Sequence, residues 1–429
     1  MELKKTTHGF LNETIYTGVH ESGLPVFILS KREFVKYYSV ISVKYGSINS
    51  TFKKGGDNLI TIPDGTAHYL EHKLFEQPDG TNAFDKFSKY GANANAYTSF
   101  SNTAYLFSAT ERFEDCLSHL LDYVFTPYFT EENVNKERGI IGQEIRMYDD
   151  DPSWKVFFNM LKGMYVDHPI TKDIAGTVES IADITENVLY EAYEAFYHPA
   201  NMVLFMAGNI DPGSAAEIIE KRIPRDRGGF ETVPEPVNEP ERISEKYISA
   251  DLPVSIPIFS CGYKNNDVYL SGKELAAENL ALSVALKLFS GESSPLYKKL
   301  YDEGSINDSF YDDMTLDESF GFVQFGGESE NPEKTAEAIL KEAERIKREG
   351  FDEKAFARIK NSLYGKYIKS FDNIETVGNA FCSNYFSGIN LFDFLDIYDT
   401  ITYNNVLEKA KKVFDGEKFV LSVIRPGKR

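Results

Sequence analysis

The chain has 429 residues, 42% hydrophobic and 26% charged, with a formal net charge of -20, an ordinary globular composition with length for roughly two to four domains. Phosphate binding runs on Lys and Arg neutralisation, so this acidic balance excludes nucleic acid as the expected partner and favours cationic ligands such as a basic peptide. No apolar run of signal-peptide or membrane-spanning length occurs, and Cys116, Cys261 and Cys382 show no CxxC spacing; the expectation is a cytoplasmic chain, no membrane association and no disulfide framework.

In chain order, residues 37–45 (YYSVISVKY) alternate as a strand. His68-Tyr69-Leu70-Glu71-His72 follows, placing two imidazoles at i and i+4 on one face of a helix, where both can meet a single ion. Glu71 lies close enough to that face to reach an attacking water. Catalytic zinc takes three protein ligands and keeps one open position. Residues 95–107 read as a further strand, and residues 131–147 as a helix carrying Glu137 and Glu144. Seven residues is about two turns, so both carboxylates face one way. Glu144 is the expected third ligand, Glu137 the carboxylate that orients a ligating histidine, and the expected cofactor is one Zn2+ per chain.

From 225 to 245 the sequence RDRGGFETVPEPVNEPERISE alternates proline with charge, which blocks helix and central strand and reads as a linker. It separates residues 1–224 from 246–429. Lys73-Leu74-Phe75 recurs as Lys287-Leu288-Phe289 at an offset of 214 residues, and Tyr97 falls on Tyr311 at the same offset. Strands at 254–263 and 319–326 and an amphipathic helix at 331–348 repeat the order of elements, which predicts two related α+β domains. The runs at Gly228-Gly229 and Gly326-Gly327 lack the context of a phosphate loop, and Asp149-Asp150-Asp151-Pro152 reads as an acidic turn ending a helix.

HxxEH followed some seventy residues later by Glu137-Arg138 and Glu144, together with Gly65-Thr66-Ala67, Asn95-Ala96-Tyr97-Thr98 and Phe196-Tyr197-His198-Pro199, resembles the inverzincin metallopeptidases of the pitrilysin, insulin-degrading enzyme and mitochondrial processing peptidase family. The phrases HKLFEQPDG and IIGQEIRMYDDDP look closest to its bacterial YmfH-type branch. The resemblance implies two homologous pitrilysin-like domains, each a mainly antiparallel sheet covered by helices, the second without zinc ligands. It implies His68, His72 and Glu144 as metal ligands, Glu71 as general base, Glu137 as supporting carboxylate, and an edge strand at Asn95, Ala96 and Tyr97 that receives substrate by β-augmentation.

Members of that family that act alone carry an Arg and a Tyr seven residues apart in the second half. Here those positions align with Tyr301 and Asp308. The expected protein is therefore a zinc endopeptidase for short or unstructured peptides whose Arg and Tyr come from a homologous subunit, in a heterodimer or a homodimer. The alternatives are a non-catalytic peptide-binding or scaffold subunit of a peptidase-like complex, and a purely structural zinc.

Overall fold

A computed structural model of the chain describes residues 1–9, 11–225 and 228–427. Asp226 and Arg227 of the expected linker, and Lys428 and Arg429 of the expected second domain, lie outside the described residues. Two compact units emerge. The first combines residues 1–145, 172–236 and 368–386; the second combines 146–171, 237–367 and 387–429. One passage between units, Pro236 to Val237, falls inside the stretch read as a linker.

The first unit is built on strands β1 (Lys4–His8), β2 (Glu13–Val19), β3 (Pro25–Ser30), β4 (Tyr37–Val43), β5 (Thr51–Lys54), β6 (Leu59–Thr61), β7 (Asn93–Thr98), β8 (Thr103–Ala109), β9 (Met202–Gly208) and β10 (Thr232–Pro234). Seven form one sheet in the order β1-β2-β3-β9-β4-β8-β7, with β7 at its edge; β10-β5-β6 form a small second sheet. The second unit holds β11 (Tyr247–Leu252), β12 (Ile258–Lys264), β13 (Tyr311–Leu316), β14 (Gly321–Glu328) and β15 (Phe419–Pro426), in the order β11-β15-β12-β14-β13.

The two sheets share one pairing pattern. In the first, β3 and β9 are parallel and the ladder continues antiparallel through β4, β8 and β7. In the second, β11 and β15 are parallel and β12, β14 and β13 follow antiparallel. The repeat is thus a structural one, and both halves are α+β.

Two expectations need correction. Residues 95–107 are not one strand: the chain turns at Ser99, whose N–H donates to the carbonyl of Asn102 at 2.8 Å, so the segment is the β7–β8 hairpin. The stretch read as a linker, where proline excludes helix and central strand, holds one short edge strand, β10. β10 ends on Pro234 because it is the edge of its three-stranded sheet, where a missing N–H can cost no ladder bond. Finally, Tyr97 and Tyr311 do not correspond. Thr98 pairs with Thr103 and Leu316 with Gly321, so the hairpins match at an offset of 218 residues, four more than the helix before them.

Each unit recruits one helix from the other half of the sequence, and a glycine lets it approach. Helix Ile374–Phe386 lies on β4 and β9. Its Phe381 ring sits 4.6 Å from Phe27 and 4.8 Å from Phe205, and a Cβ on Gly378 would stand 2.5 Å from the Tyr38 ring. Helix Pro152–Met164 lies on β12 and β15, where a Cβ on Gly163 would meet Val420 at 2.5 Å. No helix among the described residues is long and apolar enough to cross a membrane.

Candidate active site

Helix Thr66–Leu74 carries His68, Glu71 and His72 and is buried along almost its whole length. Its first turn is held by backbone geometry rather than by a capping side chain. Gly65 has φ of 90°, the left-handed region, and a Cβ there would meet the carbonyl oxygen of Ala175 at 2.4 Å. Ser180 closes the same junction by donating to the carbonyl of Asp64 at 2.8 Å. The stretch around Ala175-Gly176 is therefore a cradle for the helix start.

The other end is tied to helix Glu131–Asp149. Lys73, fully buried, donates to the carbonyl of Asn133 at 3.2 Å and pairs with Glu76, and the Tyr69 hydroxyl donates to the carbonyl of Val134. A buried ammonium is tolerated only when paired and hydrogen-bonded in this way. Arg138 anchors the second helix in turn by donating to the carbonyl of Ile184 at 2.7 Å. With both helices fixed, Glu137 and Glu144, two turns apart, reach back toward the histidines.

Nε2 of His68 is 3.7 Å from Oε1 of Glu144, and Nε2 of His72 is 3.5 Å from Oε2 of the same carboxylate. The three residues each offer one ligand atom within 4.8 Å of the others. Two ligand atoms at tetrahedral angles around zinc, each about 2.0–2.1 Å from it, stand roughly 3.3–3.4 Å apart, so both histidine–carboxylate separations suit zinc. Nδ1 of His72 is 3.0 Å from Oε1 of Glu137, which fixes the tautomer and turns the Nε2 lone pair into the site.

Electrostatics divide the two imidazoles. Burial, reinforced by neighbouring His72, pushes His68 down to about 3, so it is neutral and ready to ligate across the physiological range. Burial also works against charge on His72, but the hydrogen bond to Glu137, with Glu71 and Glu144 close by, outweighs it and raises the pKa. Burial raises Glu71 as well, against the hydrogen bond from Thr98 and the His72 imidazole. A carboxyl whose basicity is raised in this way is a better proton acceptor than an exposed one.

Glu71 and His72 open onto a cavity of about 480 Å³ whose wall includes Phe75, Phe84, Asn95 and Ala96. Asn95 and Ala96 lie on β7, whose outer edge carries no further strand among the described residues; the Ala96 N–H donates to Oδ1 of Asn95 at 2.9 Å, a local bond that an incoming extended peptide would replace. Tyr97 does not share that wall; it is half-buried and faces Ala104 of β8. In the second unit, the hydroxyl of exposed Tyr301 donates to Oδ1 of Asp308 at 3.1 Å.

Sequence reasoning missed Thr98, which donates to Oε2 of Glu71 at 2.6 Å, and missed Lys73 and Tyr69 as the ties between helices. Lys73 carried no signal of its burial: the same KLF run at 287–289 holds a lysine whose side chain is 36% exposed.

The family profile for insulinase (peptidase family M16) matches residues 61–178, and that for the peptidase M16 inactive domain matches residues 183–363. The chain is 39% identical, over 435 residues and 99% of each sequence, to a Bacillus subtilis (strain 168) protein named uncharacterized zinc protease YmfH. It is 25% identical to the zinc protease YmxG of the same organism, over 73% of this chain and 76% of that one. A candidate M16-like peptidase from Alicyclobacillus acidocaldarius superposes with a TM-score of 0.92 at 30% identity, over 100% of this chain and 99% of the other. Pitrilysin superposes with a TM-score of 0.74 at 15% identity, over 99% of this chain and 46% of pitrilysin, a likeness of fold alone.

Proposed function

The chain belongs to the M16, or insulinase, family of zinc metallopeptidases, and from that premise we propose that it is the zinc-bearing subunit of an endopeptidase for short or unstructured peptides. The carrying observation is the convergence of His68, His72 and Glu144 beside a buried carboxylate, Glu71, which with His72 opens onto one cavity.

His68 and His72 would hold the metal through Nε2 and Glu144 through its carboxylate, with Glu137 keeping His72 in place. Bound zinc supplies Lewis-acid polarisation of the scissile carbonyl and acidifies the attacking water. Glu71 takes the proton from that water and returns it to the departing amine nitrogen, so the enzyme ends each cycle as it began. Main-chain groups of β7 at Asn95 and Ala96 align the peptide without reading its sequence. The net charge of -20 favours basic peptides, and three free, buried cysteines suit a reducing cytoplasm.

A homologous partner chain completes the reading. At the two positions where self-sufficient relatives carry Arg and Tyr, this chain carries Tyr301 and Asp308, and their mutual hydrogen bond ties up the one hydroxyl there. Neither residue brings a positive charge to a developing oxyanion, a contribution worth about 100- to 1,000-fold in turnover.

The test is purification of the tagged chain with whatever homologous chain accompanies it. About one zinc per chain, chelator-sensitive cleavage of a peptide library, and strong stimulation by the partner are expected. Glu71→Gln should keep zinc and lose turnover by about 100- to 10,000-fold. Full activity of the homogeneous chain removes the partner, and full activity of Glu71→Gln removes the base.

A further inference from the structure

Thr98 ends β7, and its side chain does something that strand structure does not require. Its hydroxyl donates to Oε2 of Glu71 at 2.6 Å, and that carboxylate is only 7% exposed. Behind it, Oγ1 of Thr98 lies 3.2 Å from Oγ1 of Thr103, and the Thr103 hydroxyl donates to the carbonyl of Tyr45 at 2.9 Å. A hydroxyl has one proton to give. Thr103 has given its own to Tyr45, so the Thr98 proton is directed at Glu71. The backbone holds this order in place, because Thr98 and Thr103 are directly paired across the β7–β8 hairpin.

The second half of the chain supplies an internal control. The repeat of Lys73-Leu74-Phe75 as Lys287-Leu288-Phe289 puts Ala285 where the first half has Glu71. The hairpin register puts Leu316 where the first half has Thr98. Where the carboxylate is absent, the hydroxyl is absent too. Strand packing alone is satisfied by leucine at this point, so the hydroxyl goes with the carboxylate and not with the fold.

We propose that Thr98 is a positioning residue for Glu71, its hydroxyl holding Oε2 so that the other carboxylate oxygen is left to exchange the proton of the attacking water. The inference rests on the reading of Glu71 as general base. Over one turnover the water proton passes to Glu71 and then to the leaving nitrogen, while Thr98 keeps its own proton throughout. Oε2 keeps its acceptor lone pairs when the other oxygen carries the proton, so the bond from Thr98 persists through the half-cycle in which Glu71 is protonated.

The experiment compares Thr98→Val, which keeps the shape and loses the hydroxyl, with Thr98→Ser, which keeps the hydroxyl. Both are measured in whichever preparation cleaves peptide, the chain alone or with its co-purified partner. Thr98→Val should bind zinc as the wild type does, leave KM within about twofold, and lower kcat about 10- to 100-fold, the effect of losing a hydrogen bond to a charged group. Thr98→Ser should restore kcat to within about threefold. A stability cycle on the metal-free protein needs no turnover. Thr98→Val should lower Tm by about 2–6 °C in the wild type and by less than half of that in a Glu71→Leu background.

Equal Tm losses in both backgrounds overturn the bond. Unchanged kcat in Thr98→Val, or equal loss in Thr98→Ser, overturns the positioning role while leaving Glu71 untouched. Turnover retained in Glu71→Gln instead overturns the underlying reading, whatever Thr98→Val does.

Discussion

Oε1 of Glu137 and Nδ1 of His72 lie 3.0 Å apart, and the same imidazole presents Nε2 to Glu144 at 3.5 Å. One ring therefore links a carboxylate that orients to a carboxylate that shares the proposed metal. Partners of this kind set ring angle and basicity, and their loss costs about 10- to 100-fold in metal affinity. Glu137→Gln should weaken zinc binding by that factor in a chelator competition while leaving kcat near wild type at saturating zinc. Unaltered affinity would show that packing alone holds the His72 ring.

The start of the metal-bearing helix gives a second prediction. Gly65 is in the left-handed region, and a Cβ there would stand 2.4 Å from the backbone oxygen of Ala175. Gly65→Ala adds left-handed strain of about 1–2 kcal/mol to a collision with an atom that has no rotamer to move. The helix must shift, and His68 shifts with it. The expected result is a lower Tm together with weaker zinc binding, whereas an equally destabilising change remote from this helix should leave zinc affinity alone.

The chemistry was more legible than the architecture around it. His68, Glu71 and His72 were visible because i, i+3 and i+4 spacing is a local property of one helix, and Glu144 because a seven-residue step brings it level with Glu137. The turn inside 95–107 was hidden because Ser99 and Asn102 make it with hydrogen bonds that serine- and asparagine-containing strands do not announce. Helix periodicity reveals a buried face but not which sheet covers it. That is why the assignment of Ile374–Phe386 to the first unit and Pro152–Met164 to the second could not be read from residues alone. Thr98 stands at the end of the Asn95-Ala96-Tyr97-Thr98 motif, yet its role depends on a partner 27 residues away.

The first of those helices yields a stability prediction separable from the metal. Gly378 faces the Tyr38 ring at 2.5 Å from where a Cβ would sit, and Phe205 at 3.2 Å. Tyr38 is itself held by its hydroxyl, which donates to Oδ1 of Asn379 at 2.7 Å, so it cannot swing aside without breaking that bond. Gly378→Ala should destabilise by about 1–3 kcal/mol, the usual result of overpacking, seen as a lower denaturant midpoint. Zinc stoichiometry should be unchanged, because the ligands lie on other helices.

His168 should give the second unit an acid-labile component. The ring is buried, its Nδ1 accepts the Ile170 N–H at 3.1 Å, and its Nε2 lies 3.2 Å from the Ser319 hydroxyl. Burial is the largest influence on it; the Glu239 carboxylate opposes and the Lys264 ammonium adds, and the net result pushes the imidazole from 6.5 down to about 4. The unfolded chain takes up a proton below about pH 6.5, whereas the folded chain does so only near pH 4. Between those values the unfolded state binds more protons, so stability falls as pH falls. The neutral ring contributes in full above pH 6.5 and loses its contribution progressively toward pH 4. In Tm measured against pH, the advantage of wild type over His168→Gln should be greatest at pH 7 and shrink through this window, by on the order of 2–4 °C for each kcal/mol lost. A gap that stays constant from pH 7 to pH 4.5 would place the acid lability on other groups.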